Sequence, residues 1–539
     1  MASRYPRSGP NCVGEGRALD STATGLATSP LLHRTVRNSI FIALGTLSTF
    51  AIALVFAGLT IRYLGEARAG YLMSLQALLS LNSLLGGLGL GAPLTRRVAA
   101  AHAKGDLHVA GAAVGSICIL NLAIGVLSSV VVLSLFSTVF AWSRLDPVYA
   151  SEAFWATALV LGAFVLGQVA GTWRAVFEAT QRYDLMTSLA TVFGILSGAS
   201  GIAVLTVAPS MVTLSAAGLL VAIAQIICSA YWIQRLLGKL PALAWDWDEV
   251  RPMLRFGGWA FFGSLGGFLF TSFDRLVLTS ILGSAALPYY AVPQRFYGQI
   301  HTMLATQCQF IFPTFSAFGD QAVARMGAVE DRLRWFVAVL SGASFTTLAL
   351  AGPLLLSKLV SPEFADRAAV PLAIACAQGF FHAQMIVPYF GSWAAEYAAP
   401  NTVAQIMNGT LVAGSAILLV PRYGVVGASV AQLWVAVVVV GHSVWLRRRL
   451  YGDYSWNWLQ AYISPCLFIA AWSGFVLVSG LSAERPVTYC VVIAFGGFAG
   501  TAVLWLVETT VFPSHRRWET LKEATSIPMR HFRTLVLMR

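Results

Sequence analysis

The segment Leu282-Gly283-Ser284-Ala285-Ala286-Leu287-Pro288-Tyr289, followed by Gln294, repeats an earlier one: Leu64-Gly65-Glu66-Ala67-Arg68-Ala69-Gly70-Tyr71, followed by Gln76. The shared positions (Leu-Gly-x-Ala-x-x-x-Tyr and the glutamine) stand 218 residues apart throughout. Long apolar runs flank both copies, so each copy reads as the turn of a hydrophobic hairpin. A fainter echo pairs Tyr183 and Ala190 with Tyr397 and Ala404. Self-similarity at a fixed period marks a duplicated structural unit.

Working outward, apolar runs of about twenty residues recur along almost the whole chain, each able to cross ~30 Å of hydrocarbon. Of 539 residues, 57% are hydrophobic and 11% charged. We read fourteen spans: 38–61, 70–94, 109–140, 152–173, 185–207, 211–234, 256–282, 287–318, 335–360, 368–394, 401–420, 424–446, 459–480 and 487–511. An even number places both termini on one side. On that side fall 26 of the 35 Lys and Arg, against seven on the other, with Arg275 and Arg295 left at membrane depth. The positive-inside rule makes that side cytoplasmic. The net charge of +12 therefore reflects topology. Its basic residues sit in short loops, and no nucleic-acid partner is expected.

The fold expected is all-α: a polytopic membrane protein with two pseudo-symmetric six-helix lobes, 36–237 and 255–446, joined by a cytoplasmic linker, 238–254. Six spans per unit start both lobes on the same side, so the axis relating them runs along the membrane normal. Residues 447–512 add spans 13 and 14, between cytoplasmic tails 1–35 and 513–539. The first tail is rich in Ser, Gly, Arg and Pro and has no apolar core, so it does not read as a signal peptide. The seven cysteines form no CxxC pair and most lie in apolar runs; neither a metal nor a disulfide is expected.

A charge at membrane depth costs at least ~2.5–3.5 kcal/mol, so Asp274, Arg275 and Arg295 are functional candidates. Asp274 lies nine residues before Gly283, and Arg295 seven after Pro288. At 1.5 Å per residue that puts both roughly 11–13 Å below the turn, where they are expected to pair across the hairpin. Arg275 points about 100° away on its helix. The net positive charge left over suits a diphosphate, which guanidinium groups bind bidentately. Span 8 carries Arg295, Gln299, Thr302, Thr306 and Gln309 at helical spacing, and span 10 carries Gln378, His382, Tyr389, Ser392 and Glu396. We expect spans 8 and 10 to share a cavity suited to sugar hydroxyls, interhelical hydrogen bonding being the alternative. Asp274, His301 and His382 are candidates for proton coupling. Arg96, Arg97, Arg174 and Arg182, at the cytoplasmic ends of first-lobe spans, are candidates for gathering a lipid phosphate, although they also set topology.

Five stretches resemble the multidrug/oligosaccharidyl-lipid/polysaccharide exporter superfamily, in its polysaccharide (O-antigen) flippase branch. They are the turn Arg62–Tyr71, the segment Gly87–Arg96, Phe273-Asp274-Arg275-Leu276, Phe312-Pro313-Thr314-Phe315-Ser316, and Leu419-Val420-Pro421-Arg422-Tyr423-Gly424-Val425-Val426-Gly427-Ala428. The resemblance covers about residues 36–445. It implies two lobes around a central cavity that alternates its access. It also implies an undecaprenyl-diphosphate-linked oligosaccharide as substrate, flipped across a bacterial inner membrane, with polysaccharide polymerase and co-polymerase as partners and H+ or Na+ as coupling ion. No cofactor is implied. The extra pair of spans forms a lipid-facing groove in the lipid II flippase branch. The competing reading within the superfamily is a cation-coupled multidrug exporter, but spans 1–6 hold no Asp or Glu except at their ends. A membrane glycosyltransferase or polymerase is disfavoured: the longest outer connection, near Trp142–Glu152, is short, and there is no Gly-rich phosphate loop, HExxH or nucleophile elbow.

Overall fold

The computed structural model describes residues 48–49, 51–87, 90–308, 322–395, 397 and 399–451, with scattered positions in 462–472. Helices account for nearly all of it, and no strand occurs among the described residues. That follows from the solvent: inside a bilayer, backbone groups must be satisfied within the segment, and a helix does so. In chain order the helices are α1 (Ala51–Leu64), α2 (Glu66–Gly87), α3 (Gly91–Ala103), α4 (Leu107–Ser134), α5 (Phe136–Ser143), α6 (Ala150–Ala179), α7 (Tyr183–Val207) and α8 (Met211–Leu237). They continue with α9 (Trp247–Thr271), α10 (Phe273–Leu282), α11 (Pro288–Gln307), α12 (Ala322–Leu359), α13 (Pro362–Ala383), α14 (Ile386–Ala394), α15 (Ala399–Ala431) and α16 (Trp434–Leu446). Among the described residues, eight segments are long and apolar enough to cross a membrane.

Polar residues placed just outside the apolar runs start several helices. The side chains of Asp106, Ser210, Asp246 and Ser361 each accept a backbone N–H of the turn that follows, as N-caps do.

The repeat is also a structural one. Gly65 and Gly283 both hold the left-handed conformation, at φ 83° and 84°, where a side chain would be strained. Each copy also ties the second span of its lobe to the fourth. Tyr71 Oη shares a 2.7 Å hydrogen bond with Thr157 Oγ1 of α6. Tyr289 Oη accepts from Arg367 Nη1 of α13 at 3.0 Å.

Four expected spans are broken, one of them span 12, at Gln432–Leu433 between α15 and α16. Span 7 is two helices, α9 and α10, parted at Ser272 (φ −138°, ψ −26°). The break places Asp274 in the first turn of α10, where the positive end of the helix dipole favours an acid. Span 10 divides at Gln384–Met385 into α13 and α14, and span 3 at Leu135 into α4 and α5. The turn between spans 11 and 12 reduces to a kink within α15 at Gly424, φ 57°. A side chain at Gly427 would lie 2.4 Å from the Leu419 carbonyl oxygen, so the chain doubles back there. Spans 13 and 14, apart from positions such as Tyr462, and the Phe312–Ser316 segment lie outside the described residues.

Two buried apolar clusters dominate, and neither is confined to one expected lobe, since Ile61, Ala69 and Met73 of α1 and α2 join the second. In the first, Leu90, Val98, Val114, Val176 and Ile233 pack together, joined by Val250 and Met253 from the start of α9. The second gathers Tyr290, Phe296, Phe345, Phe364 and Leu372. The lobes meet along α2, whose Ala77 and Leu84 pack on Phe268 of α9, at the start of α9, where Arg97 bonds Glu249, and at the end that carries the two repeated turns. There α2 packs on the Ser284–Ala286 turn and on α10. Gly70 lies so close to Ser284 that a Cβ would stand 1.8 Å from its carbonyl oxygen.

Candidate functional site

Two faces of α11 point in different directions and divide the candidate residues into two groups. Tyr290, Gln294, Tyr297 and His301 look into the second lobe. Arg295, Gln299 and Thr302 lie about 100° round the same helix and look toward the first lobe.

On the inner face, a buried polar chain crosses four elements. Gln294 donates to Gln378 (2.8 Å), and Gln378 donates to Gln432 (3.0 Å). Gln432 then donates to Asp274 Oδ2 (2.5 Å) and to the hydroxyl of Tyr290 (3.0 Å). Tyr290 itself donates to Asp274 Oδ2, and the Arg275 backbone N–H reaches Oδ1 at 2.7 Å. Every partner of the Asp274 carboxyl is a donor, the pattern an acceptor-only carboxylate requires. Asp274 is 1% exposed, so these bonds carry its full desolvation.

The expected Asp274–Arg295 pair does not form; no such contact occurs among the described ion pairs. Asp274 turns to Tyr290 and Gln432. Arg295 instead donates from Nη2 to Gln76 Oε1 of α2, 2.8 Å away across the lobe boundary. Arg275 makes no side-chain hydrogen bond or ion pair among the described residues, and its Nε is buried without an acceptor. Arg275 and Arg295 therefore both lack a carboxylate partner among the described ion pairs. Gln299 is half-buried and Thr302 exposed.

Among the described residues, spans 8 and 10 meet through interhelical hydrogen bonds, Gln294 with Gln378 and Tyr297 with His382, the alternative to a shared cavity. Gln378 and His382 belong to the lobe interior, and Gln299 and Thr302 to the face between lobes. His382 stacks on His301 with ring centroids 4.0 Å apart and planes 3° from parallel, and its Nδ1 lies 2.6 Å from Tyr297 Oη. At that separation two positive rings would repel strongly, so at most one of the two takes up the extra proton that makes it imidazolium. Thr306 is half-buried, and Tyr389 and Ser392 sit in α14 beyond the break; Gln309 and Glu396 lie outside the described residues.

Of the four arginines proposed to gather a lipid phosphate, three are already paired. Arg97 grips Glu249 of α9 with two bonds, one of 2.6 Å, which holds its guanidinium above its ordinary pKa. Arg174 bonds Glu178, and Arg182 bonds Asp184, at 3.0 Å each. Arg96 is exposed and enters no ion pair among the described residues.

Sequence reasoning missed Tyr290 and Gln432 and gave Gln294 no role beyond the repeat. A signal was present: Tyr290, Gln294, Tyr297 and His301 form a second stripe beside the one recognised. Gln432 interrupts the apolar run 424–446.

The family model described as polysaccharide biosynthesis protein matches residues 35–318. A Shigella flexneri protein carrying the name O-antigen transporter is 24% identical over 309 residues, covering 56% of this chain and 71% of that protein. Among solved structures, the lipid II flippase MurJ in an inward closed conformation superposes with a TM-score of 0.72 at 10% identity, covering 86% of this chain and 98% of that one. A multidrug resistance MATE transporter of the MOP superfamily, inward-facing, gives 0.61 at 14% identity, with 76% and 98% covered. The likeness to both structures is one of fold.

Proposed function

Because the chain belongs to the family of polysaccharide biosynthesis proteins, we propose that it is a flippase, moving a polyprenyl-diphosphate-linked oligosaccharide across a bacterial inner membrane by alternating access. One observation carries this reading: Arg275 of α10 and Arg295 of α11, the latter bonded to Gln76 of the other lobe, have no carboxylate partner among the described ion pairs. Two such charges at membrane depth are expensive, and a diphosphate offsets them with bidentate contacts. Gln299 and Thr302, below Arg295 on the same face, offer neutral donors and acceptors to the first sugars.

With both termini cytoplasmic, as the arginine bias favours, the repeated turns lie on the outer side. The contact of Gly70 with Ser284 then closes the outer end. Arg96 is the cytoplasmic-end arginine left to attract the lipid phosphate. Asp274, in its shell of donors, is the candidate for coupling to H+ or Na+, with the His301–His382 pair as a one-proton alternative. Transport is the whole activity in this reading, with no catalysis; a polymerase and co-polymerase consume the product on the far side.

The MATE-like fold and the buried acid also suit a cation-coupled multidrug exporter, yet a cationic drug would meet two arginines. Deletion in a strain that makes the polysaccharide tests the choice. Lipid-linked oligosaccharide should accumulate on the cytoplasmic side, Arg275→Lys should restore export better than Arg275→Ala, and drug sensitivity should not change. Sensitisation to cationic drugs without accumulation would overturn the flippase.

A further inference from the structure

We propose that Gln76 is a positioning residue that holds Arg295 for the anionic headgroup, so that the diphosphate site is completed by both lobes and exists only while they are closed at this end. The inference rests on the flippase reading and extends it.

The argument starts from charge. Arg275 and Arg295 carry the same charge and neither has a carboxylate partner among the described ion pairs, so a neutral acceptor is the kind of group that can hold Arg295 without cancelling its charge. The first lobe supplies that group. Gln76 Oε1 accepts one N–H from Arg295 Nη2 at 2.8 Å. A guanidinium has five N–H donors in a fixed fork, so this bond restrains the group and leaves donors free for phosphate oxygens.

The repeat shows why Gln76 is available. Its counterpart in the second lobe, Gln294, is buried and bonds inside that lobe to Gln378. The Gln76 side chain has no such bond to its own lobe among the described residues; its hydrogen bond runs to Arg295. Gln76 therefore turns out of its own lobe; it is exposed between the buried residues Leu75 and Ala77. One sequence position thus does two jobs, lobe-internal in one copy and lobe-bridging in the other.

The consequence is an affinity that depends on conformation. When the lobes part at the end carrying the turns, Gln76 leaves with the first lobe. Arg295 then loses its restraint, and the anion meets a guanidinium that is no longer held. Differential affinity of this kind is what lets a ligand shift a two-state equilibrium. Tight binding before opening and weak binding after it favour release.

The test is a double-mutant cycle on full-length protein in detergent, reading affinity for undecaprenyl diphosphate. Gln76→Ala should weaken binding about tenfold, the scale of one hydrogen bond to a charged group. It should have no further effect in an Arg295→Gln background, because positioning acts through Arg295. Gln76→Glu should fold and weaken binding more than alanine does, since its carboxylate competes with the phosphate for Arg295. Equal losses in both backgrounds, or none from either Gln76 variant, would overturn the positioning role and leave the flippase reading intact. If the parent protein does not bind undecaprenyl diphosphate at all, the substrate reading falls and takes this inference with it.

Discussion

The partner of Asp274 separates depth from azimuth, and a pair of double-mutant cycles measures it. If the structure is right, Asp274→Asn and Tyr290→Phe are coupled, whereas Asp274→Asn and Arg295→Gln are not. A hydrogen bond to a charged group contributes about 1.5–3 kcal/mol, while interhelical bonds within membranes average ~0.6 and reach ~1.7 kcal/mol. Asp274 is 1% exposed but keeps Gln432 and the Arg275 N–H as donors when Tyr290 loses its hydroxyl. The expected coupling is therefore near the overlap of those ranges, about 1.5 kcal/mol. The assay is reversible unfolding in mixed micelles, with the four proteins of each cycle measured side by side. Coupling with Tyr290 below ~0.5 kcal/mol, the spread ordinarily seen for independent sites, together with clear coupling to Arg295, would restore the cross-hairpin ion pair and refute the geometry.

Gly70→Ala should disfavour the conformation in which the repeated turns touch, because its Cβ would stand 1.8 Å from the Ser284 carbonyl oxygen. Slower disulfide formation between cysteines placed at Gly58 and Leu359, where a side chain at Gly58 would meet the Leu359 Cβ, would report it; an unchanged rate would show that the lobes absorb the clash. Glu330→Ala should destabilise the protein by ~3–5 kcal/mol, since it removes the carboxylate from Arg334 and both side chains are 0% exposed. A loss below ~1 kcal/mol in the same unfolding assay would contradict that burial.

The sequence by itself determined the helical class, the course of most spans and the duplicated turn. Lipid leaves the backbone few alternatives, and a glycine required at positive φ survives in both copies as Gly65 and Gly283. It also determined depth, because residues along a helix are metered at 1.5 Å each. Asp274 and Arg295 were placed at one level for that reason, with Arg275 as the charge left over. Rotation about each helix axis was decided only by packing. Nothing local says that Tyr290 and Gln294 turn inward while Arg295, one residue on, turns toward the other lobe. That choice follows from α11 fitting against α13 and α2 together, and it sets which acid meets which donor. The breaks at Ser272 and Gln384–Met385 are tertiary in the same sense: the residues are compatible with a continuous helix, and the surrounding bundle bends them. Chemistry and depth were written in the chain; who faces whom was settled when the two lobes closed on each other.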